Sequence, residues 1–189
     1  MIKYYDFEKP IEEIDLKINK LESNKTQKNN NKVEDYKKER DKTLKKIYTN
    51  LNAWQKVQVA RHPNRPHSLD YINAIFKDFI SLGGDKKFGE DQSIIGGIGS
   101  IDDHSFMIIG TEKGNSMESR IKHNFGMAKP EGYRKVQRLL KLAEKFSLPL
   151  ISFVDTAGAF PGKDAEERGQ SESIASSILS FIKTKTPTL

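Results

Sequence analysis

The stretch Ile151-Ser-Phe-Val-Asp-Thr-Ala-Gly-Ala-Phe-Pro-Gly162, continued by Asp164-Ala-Glu-Glu-Arg-Gly-Gln-Ser-Glu172, decides the fold class. A β-branched, apolar run ends at Asp155, a loop with two glycines follows, and a helix then begins. Asp164 with Glu167 three residues on has the spacing of a capping box. A loop at the carboxyl end of a buried strand, leading into a helix, is where open α/β folds bind ligands. Its glycines allow close backbone approach, and unpaired amides near the helix start can face an oxyanion.

Working outward, Pro130 opens a helix over 131–146 with a core stripe of Tyr133, Val136, Leu139, Leu140 and Ala143. The strand 150–154 after it is apolar on both sides, the pattern of burial on both faces. Ser93-Ile-Ile-Gly-Gly-Ile-Gly99 and Ser105-Phe-Met-Ile-Ile-Gly110 predict two strands joined by a turn at Asp102-Asp-His104, hence a β-hairpin. Three glycines in the first strand predict a bulge or a close backbone approach. Ser116 to Phe125 reads as helix, with Gly126 as its C-cap. Ser68 is expected to cap a helix over 69–82, buried through Leu69, Ile72, Ile75, Phe76, Phe79 and Ile80 and ended by Gly83-Gly84. The last helix is expected over 165–182, with Ile174, Ile178, Leu179 and Phe181 inward.

Toward the N-terminus, residues 6–22 and 33–50 read as amphipathic helices. The polar run Thr26-Gln-Lys-Asn-Asn-Asn31 reads as a linker between them. Two such helices cannot form a core alone. They are expected to be an arm, residues 1–52, on an α/β domain spanning 53–189. The chain stops at Pro187-Thr-Leu189, where a further strand is expected, so the sheet reads as incomplete.

Composition narrows the function. The chain has 189 residues, no cysteine and a formal charge of +6. Disulfide frameworks, thiolate nucleophiles and cysteine zinc sites are therefore excluded. No apolar run reaches the roughly 20 residues of a membrane span, and Met1 to Pro10 lacks the apolar segment of a signal peptide. A cytoplasmic location is expected. The basic excess is mostly lysine scattered among acids, which reads as solvated helix surface and disfavours nucleic acid as a partner.

The side-chain motifs are poor in chemistry. Val154-Asp-Thr-Ala-Gly158 looks at first like part of a nucleotide hydrolase. The chain's only approach to a phosphate loop, Gly84-Asp-Lys-Lys-Phe-Gly89, lacks the closing lysine and hydroxyl. Asn19-Lys-Leu-Glu22 imitates a guanine-recognition motif but falls inside the N-terminal helix. His62, His67, His104 and His123 have no metal-ligand spacing and read as surface or turn residues. Asp155 reads either as a base or as a partner for its own loop's amides. Arg168 is explained by an i,i+4 pair with Glu172, and Trp54 and Tyr71 by packing. What remains is backbone chemistry in the glycine loop, suited to an enolate or similar oxyanion.

At this loop the sequence resembles the alpha subunit of the carboxyltransferase of bacterial and plastid acetyl-CoA carboxylase. The resemblance is carried by Ala60-Arg-His-Pro-Asn-Arg-Pro66, Ile94-Ile-Gly-Gly-Ile98, Met107-Ile-Ile-Gly110, Asn124-Phe-Gly-Met127, Pro130-Glu-Gly-Tyr-Arg-Lys135, Asp155-Thr-Ala-Gly-Ala-Phe-Pro-Gly162 and Ala165-Glu-Glu-Arg-Gly-Gln-Ser-Glu172, with Asp6-Phe-Glu-Lys-Pro10 at the start. It covers nearly the whole chain in order.

The resemblance implies an α/β crotonase-like (ClpP/crotonase) fold, a spiral of ββα units, here incomplete and preceded by a helical arm. It implies transfer of a carboxyl group from carboxybiotin, on a biotin carboxyl carrier protein, to acetyl-CoA, giving malonyl-CoA for fatty acid biosynthesis. The implied partners are a carboxyltransferase beta subunit in an α2β2 heterotetramer, the carrier protein and biotin carboxylase. Biotin is the implied cofactor, with no metal on this chain and ATP used only by biotin carboxylase. The backbone of Gly158, Ala159, Phe160, Pro161 and Gly162 is implied as one wall of the biotin site. The family's main oxyanion-hole loop is implied beyond the position of Leu189, so no catalytic residue is assigned within this chain, and the chain alone is expected to be inactive. The alternatives are a non-catalytic assembly module of that complex and a nucleotide hydrolase.

Overall fold

A computed structural model describes residues 3–23 and 27–189. Two compact units divide the chain, Met1–Arg65 and Pro66–Leu189.

In the first unit a 3-10 turn, Asp6–Glu8, leads into α1 (Lys9–Ser23), followed by α2 (Gln27–Thr49) and α3 (Ala53–Ala60). Ile14, Ile18 and Val33 form the seam between α1 and α2, with Leu21 and Tyr36 against it. Polar ties supplement this small core. Arg40 Nε donates to Asp15 at 2.6 Å, and the Tyr48 hydroxyl donates to Glu8. Burial and that bond to Glu8 push the Tyr48 phenol up to about 12. Asn52 and Gln55 form a reciprocal capping box at the start of α3. Residues 27–31, expected as linker, are the first turns of α2, while Thr26 lies outside the described residues. Asparagine costs only tenths of a kcal/mol per position in a helix, and extending a formed helix is easier than starting one. Trp54, expected to pack, is 66% exposed. The first unit includes α3 and ends at Arg65, whereas the sequence reading places the boundary at 52/53.

The second unit runs α4 (Ser68–Ile75), β1 (Lys77–Ser81), β2 (Ile94–Ile101), β3 (His104–Thr111), α5 (Met117–Lys122), α6 (Pro130–Lys145), β4 (Leu150–Phe153), α7 (Lys163–Glu167) and α8 (Gln170–Lys183). The sheet order is β1-β2-β3-β4, antiparallel at the first two pairings and parallel at the third. The expected hairpin is present, in unbroken register from Ile94 opposite Thr111 to Ile101 opposite His104. His104 therefore opens β3, and the turn proper is Asp102-Asp103.

The glycines of β2 serve close approach. A Cβ on Gly96 would lie 2.2 Å from Leu139 Cδ1, and one on Gly97 would lie 2.3 Å from the Ile80 carbonyl oxygen. The one register shift lies in β1, between Lys77 and Ile80, where Asp78 has φ 52°.

One sheet face packs on α6 through Ile94, Met107, Ile109 and Leu150, against Val136, Leu139, Leu140 and Ala143. The other buries Ile108 with Ile72 and Phe76, flanked by Phe79, Ile95, Ile151 and Phe153.

Several expected elements are corrected. The helix expected over 69–82 stops at Ile75, and its second half is β1. Phe76 turns to an extended conformation and enters the core, whereas Ile75 and Ile80 are exposed. Apolar residues at 69, 72, 75, 76, 79 and 80 fit a helix, but the open edge of β2 wins the later ones by pairing. Ser68 is the first helical residue rather than the cap, and its hydroxyl donates to the Thr111 carbonyl at 2.6 Å. The helix expected over 116–125 ends at Lys122, and Asn124–Gly126 form a separate 3-10 turn. β4 ends at Phe153, is half-buried beyond Leu150, and leaves Val154 80% exposed.

The helix expected over 165–182 is split at Gly169, whose φ is 79°. Of the residues expected inward, Phe181 packs against the α6 core and Ile174 is half-buried, but Ile178 and Leu179 are exposed, and the fully buried positions are polar: Gln170, Ser173 and Ser177. Small serines let α8 approach α6 closely, where Ser177 donates to the Tyr133 carbonyl and Gln137 donates to that of Ser173.

Among the described residues no helix is long and apolar enough to cross a membrane.

Candidate functional site: the loop after β4

Residues 154–162 leave β4 and enter α7, and the chain bonds this loop down from beneath. Thr156 is the pivot. Its hydroxyl donates to the Gly126 carbonyl at 2.6 Å and accepts the Gly158 amide at 3.0 Å, a local side-chain turn. The Phe160 amide donates to the Ala128 carbonyl at 3.0 Å. Buried Gln170 reaches up from α8 and donates to the carbonyls of both Ala128 and Phe160. The loop is thus fixed by α8 and by the segment that leads into α6.

The five residues expected at the site divide accordingly. Gly158 is exposed with φ 146°, and a Cβ there would meet nothing within 4 Å, so its surroundings are open. Ala159, Phe160 and Gly162 are half-buried, and Pro161 is exposed without an N–H. The amides of Gly158 and Phe160 are already spent inside the protein. Among the described residues, those of Ala159 and Gly162 have no partner. The set of five expected contacts therefore narrows to two available donors.

Side chains around the loop are paired charges. Asp155, expected to bond its own loop or act as base, forms an ion pair with Lys113 at 2.8 Å. Its amide donates to the Thr111 hydroxyl. Lys129 lies 4.6 Å from the Phe160 ring centroid and 3.3 Å from Asp164. Arg168 pairs with buried Glu131 through two nitrogens, at 3.2 and 3.0 Å, and with Asp164, rather than with Glu172. Asp164 is not the helix cap. Gly162 holds that position, and Asp164 sits in the first turn of α7. Burial raises the Asp164 carboxyl, but Lys129 and then Arg168 outweigh it and hold the group below its ordinary value.

The decisive support is a residue that sequence reasoning passed over. Asp91 is 2% exposed and its carboxylate accepts four bonds, from the Ser93 amide, the Ser93 hydroxyl, Asn124 Nδ2 and the Lys129 amide. It thus ties the start of β2 to the 3-10 turn and to the start of α6. Gly132 is required beside it, since a Cβ there would lie 2.5 Å from Asp91 Oδ2.

The turn that Asp91 holds is strained. Asn124, Phe125 and Gly126 take φ values of 47°, 55° and 76° in succession. A left-handed non-glycine residue costs about 1–3 kcal/mol, and such conformations cluster at functional sites.

Other candidates are used up structurally. The loop Gly84–Gly89 turns its amides inward, where Asp85 Oδ1 accepts those of Lys87, Phe88 and Gly89, so no amide cradle for a nucleotide phosphate is left. Burial pushes the Asp85 carboxyl up, but these three amides and the charge of Arg134 win and hold it below the ordinary range. A depressed carboxyl stabilises the fold above its unfolded pKa, and the contribution is lost as pH falls through the folded value. The unfolding free energies of wild type and Asp85→Asn are therefore expected to differ most at neutral pH and to converge as pH falls below about 4. Denaturant titrations at several pH values check this.

His67 and His123, expected at the surface or in turns, are buried. His67 Nδ1 lies 3.3 Å from Glu112, and His123 Nδ1 lies 2.5 Å from the Gln92 carbonyl. Each ring satisfies backbone or carboxylate groups, which stabilises burial. Among the described residues no three His, Cys, Asp or Glu side chains gather as a metal site.

The arrangement offers hydrogen-bond donors in a fixed loop and, among the described residues, neither nucleophile nor free base beside them. A family model described as acetyl co-enzyme A carboxylase carboxyltransferase-like matches residues 4–189. The chain belongs to this family. Among family members, the acetyl-coenzyme A carboxylase carboxyl transferase subunit alpha of Zymomonas mobilis is 52% identical over 189 residues, covering 99% of this chain and 60% of that one. The corresponding subunit of Rhodospirillum centenum is 51% identical over 187 residues, covering 97% and 59%. The chain thus spans about 60% of the length of the curated relatives it matches.

Solved structures of related architecture include transcarboxylase 12S, with a TM-score of 0.52 and 19% identity over 63% of this chain and 22% of that one. A single-chain, multi-domain long-chain acyl-CoA carboxylase gives 0.54 and 22%, over 69% and 13%. At these identities the likeness concerns fold alone, and the four-stranded α/β unit has the crotonase-like fold of these carboxyltransferases.

Proposed function

We propose that this chain supplies the biotin side of an acetyl-CoA carboxylase carboxyltransferase centre. In this reading, biotin carried on the biotin carboxyl carrier protein, and carboxylated by biotin carboxylase, delivers a carboxyl group to acetyl-CoA, and malonyl-CoA leaves. The partner is a carboxyltransferase beta subunit in an α2β2 assembly that holds the CoA thioester, and the location is cytoplasmic. The single observation that carries the reading is the family match along residues 4–189, which includes the whole fixed loop.

The loop suits such a ligand on two counts. Open space over Gly158 admits a bulky ring, and the free amides of Ala159 and Gly162 are donors for a carbonyl-type oxygen. Biotin supplies the carboxyl group for transfer. The protein's part is to orient the ring, to exclude water and to hold N–H groups where negative charge grows on oxygen. One such donor typically contributes about 10²–10³ in rate. Lys129 and Lys113, each partly buried and each paired with a carboxylate, keep the surroundings of the loop electrically balanced. Nothing in the loop needs a side-chain base, in keeping with the pairing of Asp155.

A chimera tests the proposal. Residues 1–189 replace the matching segment of the Zymomonas mobilis alpha subunit, which is then assembled with its beta subunit, carboxylated carrier protein and acetyl-CoA. Malonyl-CoA formation is expected. A chimera that assembles but forms none contradicts the reading.

A further inference from the structure

The left-handed run Asn124–Phe125–Gly126 is held by bonds on every side. Asn124 donates to Asp91, the Gly126 amide to the His123 carbonyl, and the Met127 amide to the Asn124 carbonyl. The Gly126 carbonyl in turn accepts the Thr156 hydroxyl of the ligand loop. Gly126 is also the only residue type that fits there. Its φ is positive, and a Cβ would lie 2.9 Å from Lys113 Cβ and 3.4 Å from the Asp155 carbonyl oxygen. The turn and the loop are therefore joined directly.

Packing does not account for what this strain produces. Phe125 is aromatic and non-glycine, the kind of residue least suited to φ 55°. Yet its ring is 46% exposed and belongs to none of the apolar clusters. The protein forces an aromatic residue into an unfavourable backbone conformation and gains no core from it. The ring stands one residue from the hydrogen bond that ties the turn to the loop.

Resting on the function proposed above, we propose that Phe125 is a specificity-determining residue, the apolar wall against which the fused ring of biotin lies while the loop's free amides address its ureido oxygen. The loop offers only polar donors to one edge of the ligand. A flat apolar body needs a second, apolar surface, and a half-exposed phenyl on a backbone held by hydrogen bonds supplies it at low entropic cost.

The test uses biotinyl-lysine (biocytin) as probe, titrated into the chain and followed by NMR, with thermal unfolding in parallel. Phe125→Gly is the informative variant, because glycine suits φ 55° better than phenylalanine does. Its melting temperature is expected to equal or exceed that of wild type, while its affinity for biocytin falls about tenfold or more. Phe125→Asn, also tolerant of the left-handed region, is expected to behave likewise, and Phe125→Tyr to bind like wild type. A Phe125 with no part in binding predicts unchanged affinity for biocytin in Phe125→Gly, whatever its melting temperature, and that result overturns the inference alone. Wild-type chain that does not bind biocytin overturns the proposed function and this inference with it.

Discussion

Asp91→Ala is expected to destabilise the second unit by about 3–5 kcal/mol, the largest effect of any single substitution outside the apolar core. The loss comes from orphaned donors. Four bonds converge on this carboxylate at 2.7–3.1 Å, and the group is 2% exposed. The carboxylate lies against Gly132 and Ile94, so a water that takes its place is itself buried and still leaves some of the four donors without an acceptor. Each buried donor left without an acceptor costs about 1–3 kcal/mol, although relaxation recovers part of the sum. Against a typical total stability of about 5–15 kcal/mol, such a loss leaves a marginal fold. Asp91→Asn keeps the shape and one acceptor oxygen but turns an NH2 toward other donors, so an intermediate loss is expected. Urea unfolding monitored by circular dichroism measures both. A loss below about 1 kcal/mol for the alanine variant would mean that the neighbouring donors find other partners.

Asp91 also links stability to function. The strain at Asn124–Phe125–Gly126 persists only while its surroundings over-determine it. With the carboxylate gone, Asn124 and the Lys129 amide lose their shared anchor, and the turn is free to relax away from the loop. Ligand binding by the fraction of Asp91→Ala that remains folded is therefore expected to weaken as well.

Gly158→Val is expected to remove carboxyl transfer in the assembled chimera by about 10²–10³-fold, the cost of displacing a positioned amide donor. Two effects combine. A φ of 146° disfavours any L side chain, by about 1–3 kcal/mol. A branched side chain then occupies the open space in which the ligand ring is proposed to sit. No protein atom lies within 4 Å of the new Cβ, so the fold itself has nothing to clash with. Stability should fall by no more than the backbone cost, while activity falls far further. D-alanine at 158, introduced by semisynthesis, adopts positive φ freely and separates the two effects. It should restore stability fully and activity only in part. Equal activity in wild type and Gly158→Val would make the loop a packing element.

What the sequence reveals and conceals follows from the range of each interaction. The β2–β3 hairpin and the buried stripe of α6 are written locally, in alternation and in 3.6-residue spacing, and both are present. The strand–loop–helix at 150–167 is legible for the same reason. The strand Lys77–Ser81 is not, because Phe76, Phe79 and Ile80 fit a helical stripe equally well until the edge of β2 offers pairing. The buried face of α8 is hidden because serines, not its isoleucines, meet α6, and only the carbonyls of Tyr133 and Ser173 make that favourable.

The site shows the same division. The glycine loop is visible in sequence, but its anchors are not. Asp155 finds Lys113 across 42 positions, and Asp91 finds Asn124 and Lys129 across 33 and 38. The one local clue, Asp91 two residues before Ser93, reads as an ordinary turn. Which loop amides are free depends on Thr156 and Ala128, and no residue pattern states it.

Two particular N–H groups, those of Ala159 and Gly162, stand ready for a ligand oxygen while the amides of Gly158 and Phe160 are occupied. Amide-resolved ¹⁵N NMR during a biocytin titration reads these groups one by one. Saturable shifts at Ala159 and Gly162 are expected, with the amides of Gly158 and Phe160 retaining their hydrogen-bonded positions. Shifts confined to residues outside the loop, or none at all, would mean that these amides receive no ligand.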